Sequence, residues 1–274
     1  MGQGERLFKR TVAFMLCTAV FTAAQGWAET IKVGGTGGAM GVMRLLGDAF
    51  EKQHPNINVV VVPGLGSGGG RKALLGGALD VAATSKALTD VEKTAGTNAS
   101  LYGRSPFVIA VQEKSKVANV STKEIVDIYR LKTTHWPDGS RLRLILRPLS
   151  DSDTDMLKRI SPDMEAALKV AHAREGMKIG ISDEDTADAI EGTAGAVGSS
   201  VLSLILSEKR ALKPLAVNGV TPSVKTISDG SYPWFKSYFL LTRAEPSASA
   251  KLFAEFVVSA QARQLLSSVG VSIP

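Results

Sequence analysis

The chain has 274 residues, of which 44% are apolar, 21% charged and 6% aromatic, with a formal net charge of +6. This is a globular composition with ample material for a core, and a single cysteine excludes a disulfide scaffold. Scattered Lys and Arg with few aromatics argue against nucleic-acid recognition, which wants clustered cations and stacking rings.

Arg6, Lys9 and Arg10 form a short basic head, Val12 to Ala24 is apolar, and Gly26-Trp27-Ala28 puts small residues where a signal peptidase reads. Residues 1–28 are expected to be a secretory signal cleaved after Ala28. The competing reading is a membrane anchor, but the run is short for a bilayer and is broken by Thr18, Thr22 and Gln25. Cys17 lies inside this segment, and bulky Phe14-Met15-Leu16 before it do not suit a lipobox. The mature chain then has no disulfide, thiolate nucleophile or cysteine metal site. Loss of three basic residues and Glu5 takes the net charge from +6 to +4. A mildly basic exported protein suits a small anionic ligand or an anionic surface.

From there the hydrophobic period alternates between two and 3.6, the mark of an α/β protein. Ile31-Lys32-Val33 reads as a strand, and Gly34 to Gly38 as a loop. A helix follows with Met40, Met43, Leu46 and Phe50 on one face, stopped at His54-Pro55-Asn56. The β-branched run Ile57 to Val62 predicts a strand buried on both faces. Pro63 to Gly70 reads as a second glycine loop, Arg71 to Leu79 as a helix, and Asp80 to Ala83 as a strand ending at Thr84-Ser85. Phe107 to Val111 is a buried strand and Thr122 to Arg130 a helix. Leu142 to Leu146 is a strand running into Arg147-Pro148, and Ser150 or Asp151 caps a helix through Ile160. Asp163 to Arg174 continues helical, and Ser182 with Asp185 predicts a capping box. Gly195 to Gly198, Pro214 to Val217 and Tyr238 to Thr242 read as strands. Pro246 onward predicts one long amphipathic helix with Leu252, Phe253, Phe256 and Val257 inward, and Val269 to Val271 an edge strand. There is no long linker, so two lobes would be joined by strands crossing near Ser105–Val111 and Tyr232–Tyr238.

Three polar loops follow strands and open helices, where open α/β sheets hold ligands and helix ends favour anions. The first is Gly35 to Met40, whose glycines let backbone approach a ligand. The second is Gly66-Ser67-Gly68-Gly69-Gly70-Arg71, with a hydroxyl and a run of amides. Residues 64–69 also match G-x-G-x-x-G. However, Asp80 comes too early and Asp90 late for a ribose contact, and export argues against a nicotinamide enzyme. The third is Arg147 to Thr154, where a guanidinium can bind an oxyanion in bidentate fashion beside Ser150, Ser152 and Thr154.

The order of these features resembles the phosphate-binding proteins of ABC-type importers. The opening strand, loop and helix match, as does Gly66-Ser67-Gly68-Gly69-Gly70. Asp80 to Leu88 is similar to the family's strand and S-x-x-L turn, and Ile125, Ile128, Tyr129 and Trp136 to its L-x-x-I-Y/F-x-G-x-x-x-x-W stretch. Tyr232-Pro233 through Val269-Gly270 also fits. The resemblance implies a type II periplasmic binding protein fold of two α/β lobes, each a sheet flanked by helices. The lobes would be residues 29–107 with 238–274, and 108–237. It implies a ligand site of Gly38, Ala39, Met40, Ser67, Gly68 and Ser85 from one lobe and Arg147, Ser152 and Thr154 from the other. Two departures stand out. Family members follow the arginine with Gly-Ser-Gly-Thr, where this chain has Asp151-Ser152-Asp153-Thr154, and Ser85 stands at a turn position that is aspartate in the best-known members. Two carboxylates near a dianion repel it unless they turn away or accept a ligand proton, which leaves the identity of the oxyanion open.

Other residues carry little. His54, His135 and His172 are dispersed and make no zinc motif, so no metal or cofactor is expected. Asp183, Glu184 and Asp185 fall at a helix start, where acids serve the dipole. Leu65 replaces the first glycine of a nucleophile elbow around Ser67, which argues against acyl transfer. Trp136 and Trp234 read as core or hinge packing. The expected function is a monomeric, non-enzymatic periplasmic protein that captures a small oxyanion for an ABC permease. The alternatives are a sensor subunit on the same scaffold and an exported nucleotide-using enzyme.

Overall fold

The computed structural model describes residues 28–94 and 96–273; the expected signal segment up to residue 27, with Cys17, lies outside them. β1 (Glu29–Gly35) leads into α1 (Gly37–Glu51), β2 (Ile57–Val62), α2 (Gly66–Leu75), β3 (Val81–Thr84) and α3 (Asp90–Thr94). The chain continues through β4 (Asn98–Gln112), β5 (Asn119–Val120), α4 (Thr122–Tyr129), β6 (Arg143–Leu146), α5 (Ser152–Lys158) and α6 (Met164–Ala173). Next come β7 (Lys178–Ile179), α7 (Asp183–Glu191), β8 (Ala196–Val201), α8 (Leu202–Ser207), β9 (Leu212–Pro214), β10 (Ala216–Val217) and α9 (Val224–Ser228). β11 (Phe235–Thr242), α10 (Ala248–Val257) and α11 (Ala260–Ser268) end it.

The strands join in the order β2-β1-β3-β11-β4-β8-β6-β7, with β9 also on β4, and β5 and β10 pair apart. β1 runs parallel to β2 and β3, whereas β11 is antiparallel to β3 and β4. β4 serves two lobes. Its residues 98–106 pair with β11, and residues 107–112 pair with β8 and β9. The fold is the expected α/β architecture of two lobes, each a sheet flanked by helices.

Each lobe has its own core. In the first, Val33, Met40, Met43, Phe50, Tyr238 and Phe253 are fully buried between the sheet, α1 and the C-terminal helices. Leu74, Leu79, Ala82 and Leu241 fill the opposite face under α2. In the second, Phe107, Ile125, Ile145, Leu157, Met164 and Leu204 pack together.

Several local expectations need correction. β2 is an edge strand and only partly buried, not a strand covered on both faces. α2 starts at Gly66, so most of the second glycine loop is helix. The final helix is two helices, because Ser259 leaves helical geometry and accepts a hydrogen bond from the amide of Ala262 at 3.2 Å, capping α11. Leu252 faces outward. Val269 to Val271 form no strand; the C-terminal end meets β4 through a bridge between Arg104 and Ser272. The capping box of Ser182 and Asp185 forms as read.

Candidate functional site

The C-terminal ends of β1 and β3 lie side by side, with Gly35 opposite Ala83. Gly35 has φ +143°, and a Cβ there would lie 1.8 Å from the Ala83 carbonyl oxygen, so only glycine closes this corner. Thr36 then caps α1 by position, yet its hydroxyl makes no bond to its own helix, and the first turn holds no acidic residue. The end of α1 is completed from the other lobe. Asp183, at the start of α7, accepts from the Gly38 amide at 2.8 Å and from the Thr36 hydroxyl at 3.4 Å. Two positive helix ends thus share one carboxylate.

That carboxylate belongs to a buried charge cluster. Its other oxygen, Oδ1, lies 3.5 Å from Arg147 Nη2 and 3.7 Å from Lys236 Nζ. Arg147 reaches Asp151 through both Nη2 at 2.8 Å and Nε at 3.3 Å, and its Nη1 donates to the Gly180 carbonyl and the Thr186 hydroxyl. Lys236 pairs with Asp153, whose other oxygen accepts from the Ser199 hydroxyl at 2.7 Å. The cluster holds two cations and three carboxylates. Burial disfavours charge on Lys236 and Arg147, but the surrounding aspartates outweigh it and hold both above their ordinary pKa. Burial also disfavours the Asp183 carboxylate; Lys236, Arg147 and the bonds from Gly38 and Thr36 outweigh it and hold Asp183 low. Burial and the charge of Asp153 instead push Asp151 up, so the excess negative charge is relieved most readily there.

Beside the cluster, a cleft of about 640 Å³ opens between the lobes. Ser85, Ser237 and Phe239 line one side, Ser152, Met156 and Arg159 the other, with Lys236 and Trp234 at the strand crossing. Ser67 and Ser85 are joined hydroxyl to hydroxyl at 3.0 Å, and the Ser85 amide donates to Ser67 Oγ at 3.1 Å. Arg71 holds this turn by donating to the carbonyls of Lys86 and Ala87. Lys86 and Asp155 form an exposed ion pair across the mouth at 3.0 Å.

Of the residues singled out from sequence, Gly38 and Arg147 meet at the cluster, and Ser67, Ser85 and Ser152 stand by the cleft. Gly68 is exposed in the first turn of α2. The Ala39 amide is taken by the Thr36 carbonyl at 3.0 Å, Met40 packs into the core, and Thr154 is buried with its hydroxyl donated to the Pro148 carbonyl at 2.9 Å. Asp151 and Asp153 do not turn away from the site; they hold its cations. Lys236 and Asp183 were missed. Lys236 sits in an apolar strand, where a lone lysine was the one signal available, and Asp183 was absorbed into a helix-start reading. Among the described residues, no group of three or more His, Cys, Asp or Glu is placed to hold a metal ion.

Comparison with known proteins agrees with this architecture. The chain is 29% identical over 111 residues to the phosphate-binding protein PstS 2 of Streptococcus agalactiae, covering 40% of this chain and 38% of that relative. It is 23% identical over 243 residues to the phosphate-binding protein PstS of Bacillus subtilis, covering 84% and 75%. In fold, it superposes on a phosphate ABC transporter substrate-binding protein from Clostridium perfringens, solved with bound phosphate, with a TM-score of 0.75. That match has 17% identity and covers 90% of this chain and 100% of the other. Residues 22–261 match the PBP superfamily domain, and the chain belongs to that superfamily.

Proposed function

We propose that the protein is an extracytoplasmic solute-binding protein that captures a small oxyanion of the phosphate class between its lobes and delivers it to an ABC permease. One observation carries this reading: the junction already holds an oxyanion, the carboxylate of Asp183, on a helix-end amide, a hydroxyl, a guanidinium and an ammonium. A phosphate oxygen uses the same donors, with the Ser67–Ser85 pair and Ser152 in the adjoining cleft. The named relatives bind phosphate, which supports the class of ligand. No bond need break for this task.

The lobes are residues 29–107 with 238–274, and 108–237, hinged where β4 and the segment before β11 pass between them. A ligand bridging the lobes shifts the balance toward the closed form. Signal cleavage after Ala28 releases a monomer, and among the described residues no helix is long and apolar enough to cross a membrane.

The test is thermal unfolding of residues 29–274, refolded to strip carried-over solute, against phosphate, arsenate, phosphite, sulfate, molybdate, tungstate, amino acids and nucleotides. At a hundredfold excess over its Kd a ligand adds about 2.7 kcal/mol, roughly 5–10 °C here. A shift of that size with phosphate or a close analogue is expected. A flat response to every oxyanion removes the reading.

A further inference from the structure

The charge cluster has a feature that oxyanion capture alone does not require. α1 is fifteen residues long and presents its first amides to the other lobe. The group that meets them is a tethered carboxylate, Asp183, buried and backed by the two cations that would also face a solute. The approach is close. A Cβ on Gly37 would fall 2.8 Å from Asp183 Cβ and 2.3 Å from Glu184 Oε2.

We propose that Asp183 is an internal competitor for the anion seat: it occupies the end of α1 when the lobes meet, and a solute oxyanion binds there by displacing it. This rests on the reading of the cleft as an oxyanion site. A tethered group competes at an effective concentration far above that of a dilute solute. The apparent affinity is then the intrinsic affinity multiplied by the fraction of molecules whose seat is free. Displacement also settles the charge. With Asp183 in place, two cations face three carboxylates; with it withdrawn, Arg147 and Lys236 balance Asp151 and Asp153. The incoming anion therefore meets a neutral pocket rather than a negative one. Asp183 would set how much phosphate must be present before the protein loads.

The experiment compares the stripped wild-type chain with D183A, D183N and D151N, titrating inorganic phosphate by calorimetry. Small-angle scattering is recorded with and without phosphate. D183A is expected to bind phosphate about tenfold tighter or more, with D183N between it and wild type, because asparagine still offers the Gly38 amide an acceptor. D151N removes the same charge without freeing the seat and loosens the two-point hold on Arg147, so its affinity should not rise. Wild type should keep one radius of gyration with and without phosphate, whereas D183A should contract when phosphate is added. Circular dichroism and thermal melts confirm that each variant folds; if D183A does not, D183N against D151N carries the comparison. Equal or weaker binding by folded D183A, or equal gains in D183N and D151N, overturns the competition. If no oxyanion binds wild type or D183A, the functional reading itself falls and the competition with it.

Discussion

The ammonium of Lys236, at the strand crossing, lies between two carboxylates, paired with Asp153 and 3.7 Å from Asp183. Breaking a buried pair by removing one partner leaves the other charge uncompensated, typically at a loss of about 3–5 kcal/mol. Lys236→Met should destabilise the fold by about that amount in urea unfolding. Asp153→Asn added to it should recover part of the loss, because the two effects are coupled. Strictly additive losses would mean that the pair does not act as a unit.

Arg147 combines a two-point contact to Asp151 with its approach to Asp183. Arg147→Ala should weaken phosphate binding by about a hundredfold or more, as expected when a charged hydrogen-bond donor of roughly 3 kcal/mol is lost. Arg147→Lys should rescue little, because an ammonium lacks the planar fork. Titration of both variants, beside their denaturant midpoints, separates affinity from stability; undiminished affinity removes Arg147 from the site.

Acid should affect two carboxylates in opposite directions. Asp183 is held low, so its contribution is present above the unfolded aspartate pKa of about 3.9 and is lost as pH falls through the lower folded value. Asp151 is raised, so the folded state takes its proton first, and acidification from neutrality toward about pH 3.9 favours folding. The stability of wild type relative to D151N should therefore rise over that window. Relative to D183N it should hold to about pH 4 and shrink below. Denaturant melts at several pH values give both slopes, and a reversed sign for either one reassigns that group.

The ion pair of Lys86 and Asp155 crosses the mouth of the cleft with both side chains nearly half exposed. Exposed pairs contribute about 0–1 kcal/mol and weaken with salt. Lys86→Ala should lower stability by less than about 1 kcal/mol. Any effect on phosphate affinity should fade between low and high ionic strength, which calorimetry at two salt concentrations checks.

Gly35→Ala should be severe. The new methyl group would meet the Ala83 carbonyl at a backbone angle that side chains rarely adopt. A loss of at least about 2 kcal/mol is expected, in the class of strain at a special backbone position. A variant as stable as wild type would show that the β1–β3 corner relaxes.

Most of the architecture could be read from local chemistry. The Ser182–Asp185 box, the strand ending at Leu146 and the guanidinium after it all follow from short-range patterns. The helix in the second glycine loop did not, because glycine propensity argues against helix and only tertiary packing overrides it: a Cβ on Gly70 would fall 2.6 Å from Gly35 Cα. The site was half visible. Loops that follow strands point to Gly38, Ser67, Ser85 and Arg147, since helix ends and hydroxyls are local features. The pairing of Asp183 with Gly38 spans 145 positions and depends on how two lobes meet. Lys236 stands opposite Ser105 at the strand crossing, a register that no sequence period reports.

β4 belongs to both sheets, and its bonding changes hands at Pro106 and Phe107. Proline has no amide hydrogen to give, and the Phe107 amide makes the bond at the passage, donating to the Trp234 carbonyl at 3.0 Å. That shared strand ties the two lobes together. It also means that neither lobe is a detachable fragment. A cut at this point would part residues 98–106 from β11, their partner strand, so the two lobes should be inherited, expressed and unfolded as one body.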